Sequence, residues 1–279
     1  MWSTRKIEEE LEATKIETAP KVMFLSYIPK NGKVIDAGCG FGKWVIKLHY
    51  LGYDIVGIDN SDLAVTELKN YDKNLKVEKG DILALNYPDN YFDAYISMGV
   101  VEHFEEGPIQ ALKEAYRVLK PNGIIFLSTP TVNIIRKILI GPFLKIVYKF
   151  PQIVDILDFF RRILIENTFY IRKKTKLKSS RKRYYHFLEY RFSISELENF
   201  LRETNYEVLK TVPHDFPGSK DHAIGLGVDF PFLRERKGVN FKLNTLGKII
   251  SRLLDAVSPW IACASVLCVA RALKDERRD

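Results

Sequence analysis

Cysteine is scarce, with only Cys39, Cys263 and Cys268 in 279 residues. Three scattered cysteines cannot build a disulfide framework, and no C-x-x-C pair is present to hold zinc, so reduced thiols and a cytoplasmic location are expected. The H-E-x-x-H helix of zinc hydrolases and the G-x-S-x-G elbow of serine hydrolases are both missing. No secretory leader is visible: Arg5 and Lys6 run into Glu8, Glu9 and Glu10 without an apolar stretch. A membrane-spanning run is missing too. The longest late uncharged stretch, residues 256–270, contains Pro259 and falls short of the roughly 20 residues needed to cross a bilayer. Acid is short of base, 35 against 43, but the imbalance is local. Residues 131–189 hold 14 Lys/Arg against 4 Asp/Glu, a net of +10, so the rest of a chain of net +8 carries about −2. What is abundant is apolar surface, 46% hydrophobic and 12% aromatic residues, which excludes wholesale disorder.

Residues 34–42 read Val-Ile-Asp-Ala-Gly-Cys-Gly-Phe-Gly. A short apolar strand ends at Asp36, and Gly38, Gly40 and Gly42 turn the chain into a helix starting near Lys43. Glycines in such a turn permit unusual backbone angles and close approach of a ligand. A G-x-G-x-x-G run from Gly38 would need glycine where Lys43 stands, and a phosphate-binding loop would need Ser or Thr where Trp44 stands. Four further landmarks follow in order. Residues 54–59 form a second apolar strand ending in Asp59, whose carboxylate can accept both hydroxyls of a ribose. Residues 77–82 bring Asp81 and Ile82, residues 92–104 a buried strand followed by Glu102-His103, and residues 115–130 a helix end, a Pro-Asn-Gly turn and another buried strand.

This ordered set, led by Asp-x-Gly-x-Gly-x-Gly, resembles the class I S-adenosylmethionine-dependent methyltransferases, closely over residues 30–130 and loosely over 186–275. The resemblance implies a doubly wound α/β fold with a seven-stranded, mostly parallel Rossmann-like sheet, whose last strand runs antiparallel beside the fifth. A helical insert interrupts it. It implies S-adenosylmethionine as cofactor, with Asp36 toward the methionine ammonium, Asp59 on the ribose, Asp81 on the adenine amino group and Ile82 against the ring. Backbone N–H groups of the Gly38-Cys39-Gly40-Phe41-Gly42 loop and the helix start suit the methionine carboxylate. Asn60 and Met98 complete the cofactor-binding set.

Glu102 and His103 are the catalytic candidates, because ligands of open α/β sheets bind beyond the carboxyl ends of strands and a histidine near neutrality can take a proton. His103 could equally cap the following helix and line the site. The ubiquinone-biosynthesis O-methyltransferases are similar here, with an acid, two residues, then Glu-His, a set thought to hold a divalent metal. This chain has Gly99 in place of the acid, so no metal is predicted.

The whole chain, 1–279, reads as one domain with 131–189 as a basic amphipathic insert. Its apolar segments, 134–148 and 153–165, precede a basic run at 172–183, which ends Arg181-Lys182-Arg183. Such a segment suits a soluble lid or an anionic membrane surface; nucleic acid, with Tyr184 and Tyr185 stacking on bases, is held lower because no RNA-binding module flanks it. A leading helix is expected within 4–30. Ser193 with Glu196 forms a capping box for a helix to Glu203, a strand follows at 207–212, a helix at 245–257 and a last strand at 261–270. His186, Tyr190 and Arg191 stand where similar enzymes face substrate, whereas His214-Asp215 and Asp221-His222 read as surface loops. The expected activity is methyl transfer to a small or lipid-linked acceptor, at oxygen. An RNA methyltransferase and a non-catalytic S-adenosylmethionine-binding protein are the alternatives.

Overall fold

Strand β1 (Lys33–Ala37) lies near the middle of a seven-stranded sheet, followed in the chain by β2 (Asp54–Asp59), β3 (Lys76–Lys79), β4 (Phe92–Met98), β5 (Leu119–Pro130), β6 (Tyr206–His214) and β7 (Ser265–Ala272). The computed structural model describes residues 7, 11, 18–140, 189–215, 230–233 and 243–274. The strand order is β3-β2-β1-β4-β5-β7-β6. The first five strands in that order pair in parallel, and β7 runs antiparallel between β5 and β6. Both faces are covered, which is why the central strands are continuous apolar runs rather than alternating ones.

Among the described residues five helices cover the sheet, α1 (Ala19–Tyr27), α2 (Lys43–Tyr50), α3 (Asp62–Tyr71), α4 (Ile109–Val118) and α5 (Ile194–Glu203), and α6 (Thr245–Val257) packs on Leu233, Leu243 and Ala262. Their starts are written in the sequence. Thr18, Ser61 and Asn244 each accept a backbone N–H as N-caps, and Ser193 and Glu196 cap one another reciprocally. On one face Ile35, Tyr95, Ile125, Leu127 and Cys268 pack with Leu112 and Ala115 of α4 and Leu197 and Leu201 of α5. On the other, Val34, Ile96, Phe126 and Val269 meet Phe24 of α1 and Trp44 and Leu48 of α2. Phe24 is the keystone there, edge-on to both Trp44 and Phe126 at 4.8 Å. The three cysteines are unpaired, as their spacing led one to expect.

Three local expectations shift. The Pro-Asn-Gly turn is not a loop before β5 but a bulge within it. Phe92 pairs with Leu119 and Ala94 already with Ile124, so residues 120–123 loop out with Asn122 at φ 60°. Lys120 holds the bulge by its 2.8 Å contacts to both oxygens of Asp93, which also accepts the Lys33 N–H. The last strand begins at Ser265 rather than 261, because Ser258 caps a 3-10 turn at Pro259–Ile261 that uses up those residues. The insert opens with a π-helical turn at Arg136–Ile140; its segments 153–165 and 172–183 lie outside the described residues, and within the leading region Ile7 and Leu11 are helical and packed beside Val45 and Leu68, ahead of α1.

Candidate active site

The strand order reverses between β1 and β4, and the glycine loop lies at that switch point, beyond the strands' carboxyl ends. Gly42 is the N-cap of α2 at φ 71°, and a Cβ there would sit 2.4 Å from Leu68 of α3, so turn and helix packing both demand glycine. Gly40, at φ 52°, has nothing within 4 Å of an added Cβ, which leaves the loop's outer side open to a ligand. The loop amides face inward. Gly38 and Cys39 both donate to Ile58 O (2.7 and 3.0 Å), Gly40 to Asp59 Oδ2 (2.8 Å) and Gly42 to Cys39 O (2.9 Å). The amides of residues 43–45 precede the first intrahelical bond, Ile46 N to Gly42 O, and no side chain caps them. An anionic group therefore finds its donors at the helix start more than at the four loop amides. The Cys39 side chain packs toward the core beside Gly57 and Val45, and burial pushes its thiol well up, so it offers shape rather than chemistry.

Asp36 and Asp59 face this loop from neighbouring strands. Asp59 braces it: Oδ2 takes the Gly40 N–H and Oδ1 the Ser61 N–H at 2.9 Å, and each oxygen keeps a lone pair for a further donor. Asn60, next to it, is exposed. Asp36 is buried, and desolvation, with the Asp59 charge adding to it, pushes its carboxyl up to about 7. Met98 ends β4 half-buried on the same sheet face. Asp81 is exposed, its Oδ1 accepting the Leu83 N–H at 2.9 Å, while Ile82 is buried in the main core. A cavity of about 340 Å³ is lined by Leu83, Phe104, Ile109 and Lys113, and none of the predicted site residues lines it.

A ligand ammonium held at Asp36 would meet this elevated carboxyl, and its affinity would then depend on pH. A cationic ammonium binds the ionised form, so affinity is expected to rise by up to about tenfold per pH unit below 7 and to level off above it. Calorimetry of S-adenosylhomocysteine across pH 5.5 to 8 checks this, and Asp36→Asn should flatten the profile.

Glu102 and His103 share the 3-10 turn Val101–His103 but not an environment. Glu102 is buried. Burial first, and then the charge of Glu189, pushes its carboxyl up to about 8, and its Oε2 has no hydrogen-bond partner among the described residues. An added Cβ on Gly99 would lie 3.5 Å from Glu102 Oε1, so the carboxyl folds back over that glycine. His103 is exposed, and α4 starts at Pro108 with no side-chain cap, so His103 does not cap that helix. The return leg of the insert covers the turn. Tyr190 N–H donates to Glu102 O (2.9 Å), its hydroxyl to Glu105 O (2.7 Å), and its ring stacks on Phe192. Arg191 lies 3.6 Å from Glu189. Two more buried hydroxyls at the strand ends, Ser97 Oγ and Thr129 Oγ1, have no partner among the described residues.

One reading is corrected. His214 is not a surface-loop residue but the buried end of β6, 2.5 Å from Ser128 Oγ through Nε2 and 3.4 Å from Asp215 Oδ2 through Nδ1. A strand of nine residues carries it to the same end of the sheet as Asp36 and Met98, and its position at the close of an apolar run was the signal available in the sequence. His186, Asp221 and His222 lie outside the described residues. Among the described residues no three His, Cys, Asp or Glu side chains gather as a metal site.

Residues 35–127 match the family described as a methyltransferase domain. Over 125 residues the chain is 33% identical to the sterol 24-C-methyltransferase of Yarrowia lipolytica, covering 40% of this chain and 32% of that one. Over 129 residues it is 32% identical to the tRNA (carboxymethyluridine(34)-5-O)-methyltransferase of Arabidopsis thaliana, covering 44% of this chain and 30% of that one. It thus spans about a third of the length of these relatives. A SAM-dependent methyltransferase structure from Methanosarcina mazei superposes with a TM-score of 0.55 at 16% identity, covering 93% of this chain and 100% of that one.

Proposed function

We propose that this chain, whose core is the methyltransferase domain of the class I S-adenosylmethionine-dependent enzymes, methylates an oxygen of a small or lipid-linked acceptor. The observation that carries the reading is Glu102, a buried carboxyl with an unpartnered oxygen beside the carboxyl ends of β4 and β5. The cofactor supplies a methyl already activated by its sulfonium, so the protein must mainly align the acceptor and exclude water. The residues present fit that cofactor: an open approach over Gly40, an uncapped helix start at 43–45, the Asp59 carboxylate, and a second carboxyl at Asp36.

In this scheme Asp36 holds the ammonium, Asp59 the ribose hydroxyls, and the start of α2 the carboxylate. Asp81 and Ile82 border the adenine. A hydroxyl acceptor must shed its proton as it attacks, and the ionised fraction of a carboxyl whose pKa is pushed up to about 8 can take it. Glu102 is that base, and the Tyr190–Phe192 cover keeps it dry. His103, its neighbour, is exposed. The likeness to a sterol methyltransferase supports a lipid-like acceptor, and the basic insert 131–189 supports contact with an anionic surface. The likeness to a tRNA methyltransferase supports the RNA reading with that same insert as phosphate contact.

The test is a transfer assay with methyl-labelled S-adenosylmethionine on separated lipid, small-metabolite and RNA fractions. Label is expected in the lipid or metabolite fraction. Label confined to RNA would put the RNA methyltransferase first, and tight cofactor binding with no label anywhere would favour a non-catalytic binder.

A further inference from the structure

Helix α6 turns apolar residues both inward and outward. Its inner face, with Ile250 and Leu254, packs on Leu233, Leu243 and Ala262, and Gly247 lets the backbone of Leu233 cross it so closely that a Cβ would lie 2.5 Å from Leu233 O. Its outer face carries Leu246, Ile249, Leu253 and Val257, spaced i, i+3, i+7 and i+11 as one stripe, and Leu253 and Val257 are 65% and 77% exposed. Phe232, 69% exposed, extends the stripe at the helix start, where its carbonyl accepts the Asn244 side chain. Lys248 and Arg252 flank the stripe, also exposed. The single acid of the helix, Asp255, is half-buried, with its Oδ1 out of contact with solvent.

We infer that α6 is an interfacial helix that lies on an anionic lipid bilayer with this stripe in the headgroup boundary. Charge decides for lipid: the exposed bases Lys248 and Arg252 lie beside the stripe, the one acid is half-buried, and Ile135, in the opening residues of the insert of net +10, packs on the same cluster as the helix's inner face. Length agrees. Thirteen residues rise only about 20 Å, too short to cross and suited to lying in the plane. The inference is independent of the identity of the methyl acceptor.

The experiment uses the full chain with vesicles of phosphatidylcholine alone and with added phosphatidylglycerol. The protein should co-sediment with the anionic vesicles, and Leu246→Asn/Ile249→Asn/Leu253→Asn should weaken that partition by at least about tenfold. These side chains are exposed, so S-adenosylhomocysteine affinity should stay unchanged in the variant and serves as the control for folding. In a second variant, Leu253→Trp, brominated acyl chains should quench the added indole. No partition of the parent chain, an unaffected triple variant or an unquenched indole would overturn the inference. So would a dimer in sedimentation equilibrium that the triple variant abolishes, which would make the stripe a joint between copies. Failure of cofactor binding in the parent chain would strike the proposed activity and leave the surface standing.

Discussion

Glu102→Gln is expected to slow methyl transfer by about 10²–10⁴-fold, the usual contribution of a positioned general base. The substitution is gentle on the fold. At neutral pH Glu102 is held uncharged by burial, with its carboxyl up at about 8, and a neutral amide of the same shape replaces it. S-adenosylhomocysteine affinity should therefore stay within about twofold, because a proton-transfer group acts in the transition state and not in cofactor binding. The pH profile gives a sharper signature. The base form grows as pH rises toward 8, so the rate should climb through that range in the parent chain and stay flat in Glu102→Gln. Stability runs the other way. A carboxyl that ionises near 4.5 when unfolded and near 8 when folded keeps a proton in the native state that the unfolded chain has released. Its stabilisation is complete below about 4.5 and is lost as pH rises to about 8, and Glu102→Gln should remove that part of the slope. A variant with near-normal turnover and an unaltered pH profile would reduce Glu102 to a buried structural acid. His103→Ala with the larger loss would hand the proton to the exposed histidine instead.

Asp59→Ala should weaken S-adenosylhomocysteine binding by about 1.5–3 kcal/mol, the range for hydrogen bonds to a charged group. Two causes are folded into that number. The carboxylate braces the glycine loop through Gly40 and Ser61, and it offers its remaining lone pairs to a ribose. Methylthioadenosine separates them, because it keeps the ribose and lacks the amino-acid end that the loop and α2 would hold. Equal losses for both ligands in calorimetry would assign the effect to the ribose. A loss seen only with S-adenosylhomocysteine would assign it to loop bracing, and no loss with either would remove Asp59 from the site.

These two residues also show how far local reasoning reaches. The place of Asp59 at the end of β2 was legible because it depends on short-range pattern: an apolar run with an acid at its end. The same holds for α5, whose start follows from the capping box of Ser193 and Glu196. The bulge in β5 was not legible as such, because whether Pro-Asn-Gly closes a loop or loops out of a strand depends on Phe92 and Asp93 of the neighbouring strand. No helix among the described residues is long and apolar enough to cross a membrane.

What the sequence determined by itself was the order of strands and helices, the glycine turn and the acids at the strand ends, because caps, turns and apolar periods are interactions between residues a few positions apart. Only the tertiary structure decided which side chains lose their water. It buried Glu102 while leaving His103, its neighbour in the chain, exposed. It drew His214 from an apparent loop to Ser128, 86 residues away, and it gave α6 a second, uncovered apolar face. Desolvation depends on everything packed around a group, and most of what packs around these groups comes from elsewhere in the chain.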